Sequence, residues 1–301
     1  MSFLTIFTAP KPFSNPHIAT IQRNAIQSWL HLGEEVDVFL VGEEDGLAET
    51  AAEFKVRHLA NVARNEQGTP LVSSIFDLAR QASQSPLLAY LNADILALPD
   101  FVKVARKVAV QAENFLVVGQ RWDLQVENEL DFNPGWEARL RADLEKRGRL
   151  HPPAGSDYFI FPRHLFTAMP AFAIGRAGWD NWMIYHARER GWHVVDATPS
   201  LKIIHQDHDY SHLPGGKPHY DLEESNHNLA LAGGLLHMYY VLDTDKQLWD
   251  GRIRSPRPSM LRTLRKAELW LTPKDGRRQG TRWGLARKLR RWRRRITGTL
   301  N

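Results

Sequence analysis

The stretch Leu87-Leu88-Ala89-Tyr90-Leu91-Asn92-Ala93-Asp94-Ile95 decides how this chain reads. An apolar run of five residues followed at once by polar ones is the pattern of a strand buried on both faces, as in parallel sheets covered by helices. Pro99 shortly afterwards suits the first turn of a helix, where its missing N–H costs nothing.

Working outward, the same unit recurs. Residues 3–8 form a strand pattern closed by Ala9-Pro10-Lys11-Pro12, and Ile18, Ile21, Ala25, Trp29 and Leu32 then recur at helical spacing until Gly33 stops them. Residues 36–41 predict a second strand, 47–54 a short helix, 56–59 a third strand and 69–82 another helix. Alternation of this kind predicts an α/β fold with a mostly parallel sheet flanked by helices. Beyond residue 115 the pattern loosens into a mixed α+β second half. Strands are expected at 115–120, 157–161, 194–195 and 201–205, with helices at 136–146 and 180–190. Residues 206–250 predict a long loop followed by a helix over about 229–242. No internal repeat is visible.

Composition bounds the function. Of 301 residues, 43% are hydrophobic and 24% charged, which predicts a packed domain and not a disordered chain. No apolar run is long enough to span a bilayer, and the first residues run straight into a strand pattern with no basic leader, so secretion is not expected. The sequence has no cysteine, which excludes disulfides, thiolate metal sites and cysteine nucleophiles, and fits a cytoplasmic protein. Neither a Gly-X-Gly-X-X-Gly nor a Gly-Lys-Ser/Thr sequence occurs, which argues against dinucleotide and P-loop sites.

In open α/β sheets ligands bind beyond the carboxyl ends of the strands. The polar loops there are residues 8–11, 41–44, 63–69 and 92–96. Asn92 and Asp94, two apart at a strand end, can face one way. A carboxylate in that position can bridge to a diphosphate through Mg²⁺ or Mn²⁺; equally it can be a solvated acid that ends a strand. Asp180 opens a predicted helix, where an aspartate also serves as an N-cap.

Over residues 3–210 the chain resembles the GT-A fold of nucleotide-sugar glycosyltransferases, a Rossmann-like architecture whose fourth strand ends in an Asp-X-Asp motif. Here Tyr90-Leu91 matches the aromatic-apolar lead-in and Asn92-Ala93-Asp94 stands for the motif itself. The resemblance implies Asp94 as the direct metal ligand, Asn92 as a contact to ribose or sugar hydroxyls, and His205 as a second ligand to Mn²⁺ or Mg²⁺. His208 and His212 read equally well as surface groups. Gly178-Trp179-Asp180-Asn181-Trp182 is similar to the acidic motif of these enzymes, which implies Asp180 as the general base. By the same resemblance Asp157, Tyr158, Trp179 and Trp182 wall the acceptor or sugar site. Thr8, Lys11, Glu43, Arg64, Asn65 and Thr69 would meet the nucleotide.

The implied organisation is a transferase domain over residues 1–250, with a nucleotide-sugar half (1–120) and an acceptor half (121–250), then a basic amphipathic helical tail over 251–301. Residues 252–301 hold 17 Lys/Arg against 2 Asp/Glu, while residues 1–251 hold 22 against 32. Leu285, Leu289, Trp292 and Ile296 fall on one helical face among arginines, the pattern of a helix lying on an anionic membrane surface. The expected partners are therefore a nucleoside-diphosphate sugar, a glycan or lipid-linked acceptor, and the inner face of a membrane met peripherally; the acidic body argues against nucleic acid. Two other readings stay open. One is a sugar nucleotidyltransferase, although Thr8-Ala9-Pro10-Lys11-Pro12 lacks its Gly-rich basic signature, and the other is a non-catalytic carbohydrate or membrane-surface binding protein.

Overall fold

The run Leu87–Leu91 is an interior strand of a nine-stranded sheet in the computed structural model, which describes residues 1–207, 223–273 and 279–298. The first half holds β1 (Leu4–Thr8), α1 (Pro16–Leu30), β2 (Val36–Val41), α2 (Leu47–Glu53), β3 (Arg57–Leu59), α3 (Val72–Ala82), β4 (Leu87–Leu91), β5 (Ile95–Leu96) and α4 (Asp100–Ala109). Then come β6 (Phe115–Val118), β7 (Arg121–Leu124), α5 (Trp136–Arg147), β8 (Arg149–Leu150), β9 (Tyr158–Pro162), α6 (Trp179–Glu189), β10 (His193–Asp196) and β11 (Ile203–Gln206). The remainder is α7 (Glu223–Leu231), β12 (Lys246–Trp249), β13 (Arg252–Arg254), α8 (Met260–Leu271) and α9 (Gly280–Ile296).

The large sheet has the order β13-β12-β10-β6-β9-β4-β1-β2-β3. Its strands are co-directional except β9 and β13, so the Rossmann-like, mostly parallel architecture read from the sequence is present. Strand alternation explains how one sheet serves two cores. Leu87, Ala89 and Leu91 join Leu4 and Ile6 on the face covered by α1 and α4, whereas Leu88 and Tyr90 join Phe7 on the face covered by α3 and α6.

A second, four-stranded sheet, β5-β11-β7-β8, is not separable in the sequence pattern. The strand expected at 201–205 belongs here and not to the main sheet. Its register sets His205 across from Ile95 on one side and from Asp123 on the other. Helix α1 anchors it: the Trp29 indole donates to the Ile95 carbonyl at 2.9 Å, and Ser28 Oγ accepts the Ala97 N–H at 3.1 Å.

The helix expected over 229–242 is replaced by α7, which stops at Leu231. Gly233 and Gly234, both at positive φ, break the helical path, and only single turns at Leu235–His237 and Val241–Asp243 follow. Residues 208–222, with His208 and His212, lie outside the described residues. The hairpin of β12 and β13 straddles residue 250, turning at Asp250-Gly251 with φ of 51° and 72°. Beyond it α8 and α9 pack against each other. Among the described residues, no helix is long and apolar enough to cross a membrane.

Candidate functional site

The carboxyl end of β4, the short β5 and strands β7 and β11 build one cluster of ionisable groups. Asp94 lies just before β5, and its carbonyl accepts from the Gln206 backbone at 3.1 Å and the Gln206 side chain at 3.2 Å. This stitch brings Asp94 Oδ2 to 3.6 Å from His205 Nε2. On the other edge of the imidazole, Asp123 Oδ1 and Asp207 Oδ1 each stand 3.6 Å from Nδ1. Burial disfavours charge on His205, which is only 8% exposed, yet Asp94 and Asp207 outweigh it and lift the imidazole to about 9.

Asp123 is a hub. Its Oδ1 accepts from Arg121 Nε at 2.9 Å and its Oδ2 from His151 Nδ1 at 2.8 Å. Burial would raise this carboxyl, but His151 and Arg121 hold it at about 2. Arg121 reaches in addition to Asp157 Oδ1 at 2.8 Å, the same oxygen that accepts the Asn92 amide at 2.9 Å.

Tyr90, at the end of β4, is buried and meets the Trp179 ring edge-on at 5.1 Å. Burial, Asp94, Asp157 and Asp180 together drive its phenol well above the ordinary range, which ties the end of β4 to the start of α6. Asp180 is partly buried there, and burial in the first place raises its carboxyl to about 6. The N–H of Asn181 opposes the shift and the charge of Asp157 adds to it. Gly178, at φ 112°, gives the chain the conformation that lets α6 begin at this point, one that a residue with a side chain rarely adopts.

The other expected contacts divide. Lys11 is brought to Asp94: burial lowers its ammonium while Asp94 opposes this, and Gln22 clamps its backbone with bonds of 2.7 and 3.0 Å. Thr8 ends β1 fully buried, and its hydroxyl has no hydrogen-bond partner among the described residues. Arg64, Asn65 and Thr69 share a loop, but it is Glu44, not the exposed Glu43, that pairs with Arg64, at 2.9 Å. Asn65 donates to Glu224 at 2.7 Å, and Arg176 does so at 2.6 Å, so this loop is tied to α7.

Three positions expected at a sugar wall are core residues instead. Tyr158 is 1% exposed and meets Phe101 edge-on, because its neighbours Asp157 and Phe159 take the opposite strand face. Trp182 packs on Phe172 and His186. Trp179 is buried against Tyr90, Phe76 and Phe159, beneath the site.

Asp123, His205 and Asp207 offer ligand atoms that all lie within 4.8 Å of one another, a group that could hold a metal ion. The carboxylate oxygens suit Mn²⁺ and Mg²⁺, and the imidazole tilts the set toward Mn²⁺. Both Asp123 oxygens already accept hydrogen bonds, from Arg121 and His151, whereas Asp94 faces the Nε2 edge of the same imidazole.

No protein-family model matches the chain, and no curated protein does. Among solved structures it is similar to glucosyl-3-phosphoglycerate synthase from Mycobacterium tuberculosis with Mn²⁺, UDP and phosphoglyceric acid. The identity is 15%, covering 78% of this chain and 79% of that one, with a TM-score of 0.47. The same enzyme with Mg²⁺ and UDP is 16% identical over 86% and 88% of the two chains, at a TM-score of 0.47. A further mycobacterial protein is 16% identical over 78% and 75%, again at 0.47.

Sequence reading passed over Arg121, Asp123, His151, Glu44 and Glu224. The Arg121-Trp122-Asp123 alternation was a usable signal, since residues two apart on a strand share a face. Nothing local links it to His205.

Proposed function

We propose that this protein is a metal-dependent glycosyltransferase that moves a sugar from a nucleoside diphosphate to a hydroxyl acceptor. The observation that carries the reading is the cluster beyond the carboxyl ends of parallel strands in which Asp94 Oδ2 stands 3.6 Å from His205 Nε2 while Asn92 and Arg121 both donate to Asp157 Oδ1.

Asp94 and His205 Nε2 would hold Mn²⁺ or Mg²⁺, with Asp207 and Asp123 on the Nδ1 edge fixing the ring, as carboxylates do behind metal-binding imidazoles. A divalent cation bound there would neutralise charge on a diphosphate leaving group. Lys11 adds a cation on the same side. Thr8, Asn92 and the loop of Arg64, Asn65 and Thr69 border the nucleotide, with Glu44 taking the place first given to Glu43. Asp180, ionised above about pH 6, accepts the proton of the acceptor hydroxyl. With Asp180 as base the transfer inverts the anomeric centre.

Calorimetry of the full chain against UDP-, GDP- and other sugar nucleotides, with and without Mn²⁺, tests the reading. Metal-stimulated binding or hydrolysis of one donor, lost in Asp94→Ala, is the expected result. No metal-stimulated binding of any donor overturns it, and a glycan bound without any nucleotide response would mark a pure carbohydrate binder. The anomeric configuration of the product by NMR decides the role of Asp180 separately.

A further inference from the structure

The carboxy-terminal hairpin is turned by buried charge. Glu268 on α8 is fully buried and accepts from Arg265 at 3.1 Å, from Arg290 at 2.7 Å and from Arg293 at 3.1 and 3.2 Å. Arg265 in turn pairs with Asp243 at 3.0 Å and donates to the Met238 carbonyl at 2.8 Å, which fastens α8 to the body. The face of α9 that packs inward therefore runs through Ala286, Arg290 and Arg293.

Successive helical residues are about 100° apart, so the neighbouring stripe of Leu285, Trp292 and Ile296 is rotated out of that contact. These three are 49%, 51% and 40% exposed, and Trp270 near the end of α8 is 73% exposed. Arg282 lies over the Trp270 ring at 5.5 Å, joining the two helices on this flank. Exposed Arg287, Lys288 and Arg291 cover the rest of the outer surface, and α9 contains no acidic residue. The most apolar stripe of the helix is thus left facing outward among cations, the reverse of a helix whose apolar face packs on its own core.

We propose that the outer face of the α8–α9 hairpin docks on an anionic phospholipid bilayer, with Trp270, Leu285, Trp292 and Ile296 entering the headgroup region and the surrounding cations meeting lipid phosphates. Charge complementarity selects the sign of the partner. The exposed aromatic and aliphatic side chains select a bilayer over a polyanion, which offers phosphates but no apolar layer. The hairpin is preformed, so docking needs no folding step, and Glu268 dictates which stripe is presented.

The test is cosedimentation of the full chain, without nucleotide or divalent cation, with neutral phosphatidylcholine vesicles and with vesicles carrying about 30 mol% phosphatidylglycerol. The anionic vesicles should bind at least about ten-fold more strongly, weaken with salt, and shift tryptophan emission to the blue. Leu285→Asn with Trp292→Asn keeps every charge and should cost about ten-fold in binding, with unchanged circular dichroism showing that the hairpin remains folded. Wild-type protein left in the supernatant with anionic vesicles overturns the proposal. So does full binding by the double variant, the signature of a charge-only surface that RNA would satisfy equally. Because no donor or metal is present, either failure leaves the transferase reading untouched.

Discussion

Asp123 on β7 and Asp180 at the start of α6 are the same residue in two adjoining regions of one site, and their carboxyl groups are driven apart. Burial opposes ionisation at both, but Asp123 also receives His151 and Arg121 and is held at about 2, while at Asp180 the charge of Asp157 adds to burial and the group rises to about 6. Asp180 has only backbone N–H groups to set against this. A carboxylate ionised at every physiological pH is suited to holding cations and orienting His205. One that titrates near neutrality is suited to taking a proton. The environment, and not the residue type, separates the roles.

The sharpest way to break this division is to remove one member of each region. Asp94→Ala, on the cation-holding side, should lower metal-stimulated donor turnover on the order of 10³-fold. Measured donor affinity should lose its dependence on Mn²⁺; persistence of that dependence would place the metal elsewhere. Asp180→Asn, on the proton-accepting side, should lower transfer by about 10²-fold or more while donor binding survives. With wild-type protein the transfer rate should climb as pH rises through about 6 and then level off.

Asp207→Asn removes only an orienting partner of His205, and titration with Mn²⁺ should show affinity weakened by about 10- to 100-fold. An unchanged affinity would mean that Asp123 alone fixes the ring.

The smallest effects are in stability and should have opposite signs. Asp180 carries its proton in the folded state up to about pH 6 but only to the ordinary value of 3.8 when unfolded, so its ionisation costs stability above that window. Asp180→Asn should therefore raise stability at pH 7 by about 1–2 kcal/mol and lose this advantage below pH 4. Asp123 is depressed, so it stabilises the fold above 3.8 and the contribution fades as pH falls through about 2. Asp123→Asn should cost about 1–2 kcal/mol at neutral pH. Thermal unfolding of both variants across pH checks the pair, and two shifts of one sign would refute the contrast.

The two regions also differ in how openly the sequence announced them. Gly178-Trp179-Asp180 was legible because a glycine, an acid and a helical pattern occur together within three residues. The runs at Leu4–Thr8 and Leu87–Leu91 were legible for a similar reason: burial on both faces leaves no charged residue to interrupt them. Arg121 and Asp123 sat just past a strand expected to end at 120, and their importance appears only when β11 lies beside β7. Tyr158 was misjudged because an aromatic beside a site reads the same whether it points into the crevice or into the core. The basic tail showed its charge plainly, but not that Arg290 and Arg293 turn inward to Glu268.

Sequence by itself determined what is local: the strand-helix units, the placement of Asn92-Ala93-Asp94 at a strand end, Asp180 at a helix start, and the contrast between an acidic body and a basic end. These follow from periodicity, helix punctuation and composition, which are written within a few residues of one another. Tertiary structure decided the rest. His205 meets Asp94 on one edge and Asp123 and Asp207 on the other only through the register of β5, β11 and β7, held by Trp29, Ser28 and Gln206. Such pairings join residues far apart in the chain: burial acts on both carboxyls, and it is His151 and Arg121 at Asp123, with no such partner at Asp180, that set the two at opposite ends of the carboxylate range.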